Sequence, residues 1–369
     1  MKKRMLALFL AASLLLSGCS LLDGYYLSVT PHRHQKQNTQ SEVVSVSNYV
    51  ELLAALKAMI ANGTEVAAIN VKDYPQDMAE YGIMRAIHHI LNNDALGSFA
   101  VAGMEYEIGS SNGAPALSVT ISYSRSYSEI QRIRKVADDQ AAEAIVGNAL
   151  ENYDPSLVLW VETYEKRDFS QFVQDYAEIY PNIVMETPQV TQSVYGAGRD
   201  RVVELIFTYQ TSRDALRRMQ SQVKPVFDAA TLYVSGDGED LRKYSQLYAF
   251  LMERFDYKFD ASITPAYSLL SHGVGDSRAF ATVYASMCRS AGLECQVVTG
   301  TYSGEPRTWN IVCDNGQYFH VDLLRSNERR GYQEYTDSQM VGYVWDYTEY
   351  PVCDAAPSGN TEPTEILEN

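Results

Sequence analysis

The sequence predicts a mixed α+β protein in which a duplicated module of strands and helices, at 48–232, precedes a second domain at 236–353. Two observations predict this class. Apolar residues with a period of two alternate along the chain with apolar residues at helical spacing, and the order β-α-β-β-α occurs twice in succession. The run Gly236-Asp237-Gly238 then marks a boundary, after which a new helical stripe begins.

The first copy begins with a strand at 66–71 and a helix at 77–91, whose residues Met78, Tyr81, Met84, Ile87 and Leu91 share one face. A hairpin of strands at 99–108 and 117–123 follows, with its turn at Asn112-Gly113. We expect a helix from Ser128 to about Leu150 to close the copy. An earlier helix starts at Asn48, where Glu51 three residues on is typical of a capping box, and ends at Gly63.

The second copy repeats this order at 157–162, 169–180, 190–195 and 202–209, and Asp214 opens its closing helix. Ile121 aligns with Phe207 and Tyr123 with Tyr209, each pair 86 residues apart (207 − 121). Coincidence between two amphipathic units is the alternative, but the aligned tyrosines, together with Ser126 and Ser212 at the same spacing, favour duplication. Neither copy groups a nucleophile with a base or metal ligands, so we interpret the module as a scaffold or binding unit.

The N-terminus has the order of charges and apolar residues that is typical of a secretory signal. Three basic residues precede an apolar stretch at 5–16, which ends in Leu16-Ser17-Gly18-Cys19. This run resembles the bacterial lipobox, and a buried helix with a chance cysteine is the alternative. The resemblance implies a signal peptide at 1–18, acylation of Cys19, a flexible tether at 19–47 and an extracytoplasmic protein that contacts the membrane through its lipid anchor.

Charge and cysteine spacing exclude several classes of function. The net charge of −16 would become −19 once the three basic residues of the signal peptide are removed, which argues against nucleic-acid binding. Apart from Cys19, the cysteines are Cys288, Cys295, Cys313 and Cys353, and none forms a C-x-x-C pair. We therefore predict no metal and no other cofactor.

A tail at 354–369, rich in proline and acidic residues, is expected to be disordered.

Several motifs of the second domain occur in a family order. They are the run 273–281 (Gly-Val-Gly-Asp-Ser-Arg-Ala-Phe-Ala), Ala291-Gly292-Leu293, Thr308-Trp309-Asn310 and His320-Val321-Asp322. Together they resemble a transglutaminase-like domain of the papain-type fold. The resemblance implies a cysteine nucleophile at a helix N-terminus, a histidine base on the next strand and an aspartate that orients the histidine.

The sequence departs from that pattern at two of the three catalytic positions. Ser277 occupies the nucleophile position, Arg307 the histidine position, and Asp322 alone matches. A serine hydroxyl needs an adjacent base, and arginine stays protonated and cannot be that base. We expect Arg307 and Asp322 to form an ion pair.

Two interpretations of Ser277 follow. It is the N-cap of its helix, which we favour, or it is a nucleophile served by a relocated histidine, either His320 or His272. Both histidines have a structural interpretation as well, and Cys288 has the spacing of a core residue. The favoured function is therefore a catalytically inactive, membrane-anchored protein that binds a peptide, an envelope protein or cell-wall material. An active amide hydrolase or acyltransferase using Ser277 is the alternative, and a purely architectural role is a third.

Strand pairing also bears on the cysteines. We expect 296–300 to pair with 309–312, with the turn centred near Gly304 and Cys295 opposite Cys313. Directly opposed residues are close enough for a disulfide at some positions of an antiparallel pair, so a bridge is left open.

Overall fold

The protein is described by a computed structural model that covers residues 44–354 except 112, 235, 237–238 and 259–263. Cys19 and its lipobox, the tether before residue 44 and the tail from 355 onward lie outside the described residues. Within the described part, every helix is too short or too polar to cross a membrane. The architecture is mixed α+β, as predicted.

A four-stranded sheet forms the first part of the described chain. Its strands are β1 (Val44–Ser45), β2 (Val66–Asn70), β3 (Val101–Ser111) and β4 (Ala114–Tyr123), in the order β1-β2-β4-β3. Its helices are α1 (Tyr49–Ala61), α2 (Ala79–Asn92), α3 (Ala95–Ala100) and α4 (Tyr127–Gln131). The predicted start of α1 is confirmed, because the Asn48 side chain accepts a hydrogen bond from the Glu51 amide at 3.0 Å.

A second four-stranded sheet has the same order, β5-β6-β8-β7. Its strands are β5 (Arg134–Asp138), β6 (Ser156–Thr163), β7 (Gln189–Tyr195) and β8 (Arg201–Thr208). Its helices are α5 (Asp139–Glu151), α6 (Phe169–Ile179) and α7 (Arg213–Tyr233). Ile121 pairs with Met104 in the first sheet and Phe207 with Val190 in the second, at the same offset of 86. Duplication itself stays an interpretation from the sequence.

The predicted helix from Ser128 to Leu150 is wrong as a single element. A capping box between Ser126 and Glu129 starts the short α4, and the chain then enters β5, which pairs in parallel with β6. Asp138 begins the next helix, α5, because its carboxylate accepts the Ala141 amide at 2.8 Å. Each sheet therefore has a leading parallel strand and helix that the predicted β-α-β-β-α order lacks.

Two further expectations for the first sheet need correction. The tether was predicted to reach residue 47, but Val44 pairs with Ile69 in the sheet and Val46 is buried. The predicted apolar face of α2 does not face the core at its start, since Met78, Tyr81 and Met84 are exposed. The core face of α2 is instead formed by Ile83, Ala86 and Ile90. Each of them comes one residue before a predicted core position.

The C-terminal part is built on a third four-stranded sheet, in the order β13-β12-β11-β14. Its strands are β11 (Cys295–Tyr302), β12 (Glu305–Asp314), β13 (Gln317–Val321) and β14 (Tyr343–Val344); β9 (Asp256–Tyr257) and β10 (Val274–Gly275) form a separate pair. Its helices are α8 (Asp240–Arg254), α9 (Pro265–His272), α10 (Ser277–Ser290) and α11 (Leu323–Glu328), with a 3₁₀ turn at Asp337–Gln339.

Helix α10 is the central element of this part. Its side chains are buried from Ala279 to Cys288, and Asn310 of β12 donates a hydrogen bond to the Ala281 carbonyl at 2.9 Å. The core around α10 also includes Leu216, Val223 and Phe227 of α7. The sequence boundary near Gly236 is therefore not a core boundary, because the last helix of the second sheet packs with the helices that follow it.

The hairpin of β11 and β12 pairs one position away from the predicted register. Cys295 lies opposite Val312, and Tyr302 lies opposite Glu305. Ser303 and Gly304 form a two-residue turn with φ of +52° and +87°, the left-handed conformation that such turns require. Adjacent strand residues point to opposite faces, so this register separates Cys295 from Cys313, and both thiols are free.

Candidate functional site

Ser277 lies at the N-terminus of α10, beside the inner strand β12 of the third sheet. The predicted N-cap role of Ser277 is wrong, because Asp276 is the N-cap and its carboxylate accepts the Ala279 amide at 2.9 Å. Ser277 is the first helical residue. Its half-buried hydroxyl oxygen accepts a hydrogen bond from the Thr308 amide at 3.2 Å, which connects α10 to β12.

Arg307 and Asp322 form the expected ion pair, and its geometry is bidentate. The Arg307 Nε and Nη2 atoms each lie 2.8 Å from a different oxygen of the Asp322 carboxylate. Asp322 is 1% exposed and the Arg307 side chain 15%. Burial opposes the charged guanidinium, but the hydrogen bonds and charge of Asp322 outweigh it and raise the pKa of Arg307 above its ordinary value.

The Asp322 carboxylate receives more donors than Arg307 supplies. The Tyr343 hydroxyl donates to Oδ2 at 2.7 Å, and the amides of Leu324 and Arg325 donate to Oδ1 at 3.0 and 3.2 Å. Asp322 is thus the N-cap of α11 as well as the partner of Arg307. Burial, and next the nearby Asp322 charge, raise the pKa of Tyr343, which keeps its hydroxyl a donor. The carboxylate is held in a structural network.

His320 does not serve Ser277. The ring is 0% exposed, and the Trp309 indole N–H donates to its Nδ1 at 3.0 Å. The indole is only a donor, so the ring proton of neutral His320 lies on Nε2, 2.8 Å from an Asp337 carboxylate oxygen. Burial lowers the pKa of His320, although Asp337 acts in the opposite direction. Both ring nitrogens are therefore occupied.

The other described histidines also leave Ser277 without a base. His272 is exposed at the end of α9, with its ring against Tyr267. No hydrogen bond joins Ser277 to any histidine between residues 44 and 354 in the described part of the chain. The arrangement can therefore hold a charge pair beside a serine, but it gives the serine proton no acceptor among these rings.

A second group of ligand-type atoms surrounds His320. His320, Asp337 and Cys353 each place one such atom within 4.8 Å of the others. The Trp309 donor keeps the proton of His320 on Nε2, the nitrogen that would have to face a cation. Burial, then Asp337, raises the pKa of the Cys353 thiol to about 12, so it is not a thiolate. The Cys353 amide donates to the Asp337 carboxylate, and the Asp337 amide donates to the Cys353 carbonyl. These hydrogen bonds hold the segment around Cys353 against the 3₁₀ turn, which accounts for the proximity of the three side chains.

Sequence reasoning found Ser277, Arg307 and Asp322, and the structure brings these three positions together. It missed Asp276 as the cap, Thr308 as the donor to Ser277 and Tyr343 as the third side chain on Asp322. The Asp before Ser277 was a usable signal for the cap. Nothing in the sequence connects Tyr343 with Asp322, 21 residues away.

Comparison with known proteins identifies the type of domain. Residues 228–323, which contain all three positions, match the family model of the transglutaminase-like superfamily. No curated protein sequence matches the chain.

Three solved structures are similar to the chain at low identity. The first is a TGase, at 10% identity and a TM-score of 0.26, over 46% of this chain and 50% of that one. The second is a candidate cysteine protease from Cytophaga hutchinsonii, at 14% identity and a TM-score of 0.25, over 42% of this chain and 70% of that one. The third is a candidate protease from Parabacteroides distasonis, at 10% identity and a TM-score of 0.22, over 69% of this chain and 39% of that one. The chain thus covers half the length of the TGase structure.

Proposed function

We propose that this chain, which carries a transglutaminase-like domain, is a lipid-anchored extracytoplasmic protein whose domain binds or positions a partner and performs no catalysis. The bidentate pair of Arg307 with Asp322 is the observation that carries this proposal. It occupies the two positions at which the family pattern has a histidine and its aspartate. A guanidinium in this environment stays protonated and accepts no proton.

The chemistry at Ser277 supports the same conclusion. A serine hydroxyl needs a base to become a nucleophile, and general-base assistance is commonly worth about 10²–10⁴-fold in rate. The Ser277 oxygen accepts a backbone hydrogen bond, which does nothing to remove its own proton. The alternative, an active hydrolase or acyltransferase, would need His272 or His320 as its base. His272 is exposed, and both ring nitrogens of His320 are hydrogen-bonded to other residues. No observation favours that alternative.

Anchoring rests on the sequence. The basic start, the short apolar stretch and Leu16-Ser17-Gly18 before Cys19 support cleavage and acylation at that cysteine. A peptide, an envelope protein or cell-wall material would be the ligand, bound where the family has its catalytic cleft, and the acidic net charge argues against nucleic acid.

Inactivity is tested first on the unmodified chain. We expect purified protein to show no transfer of an amine label to a glutamine donor and no peptide cleavage, because nucleophile and base are both absent. Turnover that Ser277→Ala abolishes would overturn the proposal and establish the serine enzyme.

A double substitution tests whether the site keeps its geometry. Ser277→Cys with Arg307→His restores both family residues, and we expect the thiol introduced at position 277 to react with iodoacetamide at lower pH than it does in Ser277→Cys alone. Ser290→Cys, at the exposed C-terminal end of the same helix, is the matched control because the helix dipole there does not favour a thiolate. Equal pH profiles for the double variant and Ser290→Cys would show that the site no longer supports a thiolate–imidazolium pair.

The anchor is tested separately. In Cys19→Ala, we expect the protein to leave the membrane fraction, because acyl chains on this cysteine would supply the membrane affinity. Cys313→Ala, which changes a cysteine far along the chain, is the control and should stay bound. Membrane binding of Cys19→Ala equal to that of the control would place the anchor elsewhere.

A further inference from the structure

A cleft separate from the Ser277 site lies between α6 of the second sheet and helices α9 and α10. It encloses about 320 Å³, which is at the lower end of the range for small-ligand pockets. Ser277, Arg307 and Asp322 do not line it. Arg278 and Thr282, one turn apart on α10, form one wall, so α10 presents one face to this cleft and another to β12.

The described lining of this cleft carries one positive and one negative side chain. Among the described residues that line it, only Glu178 and Arg278 are charged, and they form an ion pair across the cleft. The pair is accessible to water, since the side chains are 59% and 55% exposed. The remaining polar lining consists of neutral side chains, those of Gln174, Thr187, Thr264 and Thr282.

The apolar lining is short and rigid. Pro181 and Val184 contribute it from the segment after α6, and Pro265 and Ala266 from the start of α9. Such walls fit a small aliphatic side chain, and the volume leaves no room for a long polymer. The described lining thus combines one cation, one anion, hydroxyl groups and a small apolar surface.

We infer that this cleft binds a small zwitterion, a free amino acid or a dipeptide, with the ligand carboxylate on Arg278 and the ligand ammonium on Glu178. An exposed ion pair contributes little to stability, so opening it costs little. The ligand then replaces one exposed ion pair with two charge-assisted contacts inside a partly enclosed cleft. A ligand with a single charge would leave either Glu178 or Arg278 without its partner, so the site discriminates by charge pattern.

The inference is tested by calorimetric titration of the full chain with L-alanyl-L-alanine and two blocked forms. N-acetylation removes the ligand ammonium and C-terminal amidation removes the carboxylate. We expect the unblocked dipeptide to bind and each blocked form to bind at least about tenfold more weakly, a loss of about one charged contact.

Variants assign each end of the ligand. Arg278→Gln should bind the dipeptide and its amide equally, and Glu178→Gln should bind the dipeptide and its acetylated form equally. Lys224→Gln removes a comparably exposed ion pair on α7 and should bind as the parent does. Ser277→Ala should also leave binding unchanged, which separates this cleft from the proposed function of the Ser277 site.

Three results would overturn the inference. They are no heat of binding for the dipeptide at millimolar concentration, equal affinity for the blocked and unblocked forms, and binding that neither Arg278→Gln nor Glu178→Gln changes. Because both side chains are exposed, the variants should unfold at the parent temperature, and circular dichroism confirms that the comparison is between folded proteins.

Discussion

Arg307 and His320 lie on neighbouring strands of the third sheet, each beside an aspartate, but only the arginine is charged. Arg307 with Asp322 is a bidentate ion pair, and the Tyr343 hydroxyl donates a further hydrogen bond to the carboxylate. His320 with Asp337 contains a titratable ring, but the Trp309 donor and burial keep that ring neutral. The comparison shows that a histidine near an aspartate is not by itself a catalytic base. The third partner of the ring decides which nitrogen carries the proton.

The largest effect should come from breaking the charged pair. Asp322→Ala leaves the Arg307 guanidinium buried without its carboxylate and removes the cap of α11, so we expect a loss of about 3–5 kcal/mol in the free energy of unfolding. Urea denaturation at neutral pH measures it.

An exposed pair provides the control for that measurement. Asp228→Ala removes the partner of Lys224 on α7, where both side chains are more than half exposed, and should cost less than about 1 kcal/mol. If the two substitutions destabilise the protein equally, the Arg307–Asp322 pair is not the structural network described above.

A smaller effect should appear in the pH dependence of stability. His320 has a lowered pKa in the folded chain, so the unfolded chain binds its proton first as the pH falls. The neutral ring therefore supports folding above about pH 6.5, and this support is lost as the pH falls through that value toward the folded-state pKa. Urea midpoints should decline more steeply on acidification for the parent than for His320→Gln.

His88→Gln, at an exposed position of α2, is the matched substitution for that comparison. It should follow the parent curve throughout. A parent and a His320→Gln variant with parallel curves would mean that His320 is not held neutral by the fold.

The smallest effect concerns the cysteines. The register places Cys295 opposite Val312, so mass spectrometry of unreduced peptides should show no Cys295–Cys313 bridge, and Cys313→Ser should shift the melting temperature by no more than an ordinary surface substitution. Burial, and then the Cys295 side chain, raise the pKa of Cys288 well above its usual value, which slows oxidation of that thiol. Recovery of a Cys295–Cys313 peptide would show that the strands pair in the other register.

The sequence by itself determined most elements of the chain and the identity of the three family positions. Apolar periodicity was sufficient for α1, α6 and the hairpins β3–β4 and β7–β8, because these elements are fixed by local pattern and by caps such as Asn48. The replacement of a nucleophile and a base by Ser277 and Arg307 also required only the order of motifs, because it concerns residue identity, and an arginine stays protonated in any fold.

Tertiary structure alone decided the remaining features, because each depends on which surfaces meet. The strand β5 inside a helical pattern exists because β6 offers it an edge, and the start of α2 is exposed because no element covers Met78, Tyr81 or Met84 within the described chain. A two-residue turn at Ser303-Gly304 shifted Cys295 by one position, and one position reverses the face of a strand residue. The Tyr343 hydroxyl on Asp322 and the opposed Glu178 and Arg278 arise from packing between distant segments, which no local pattern records.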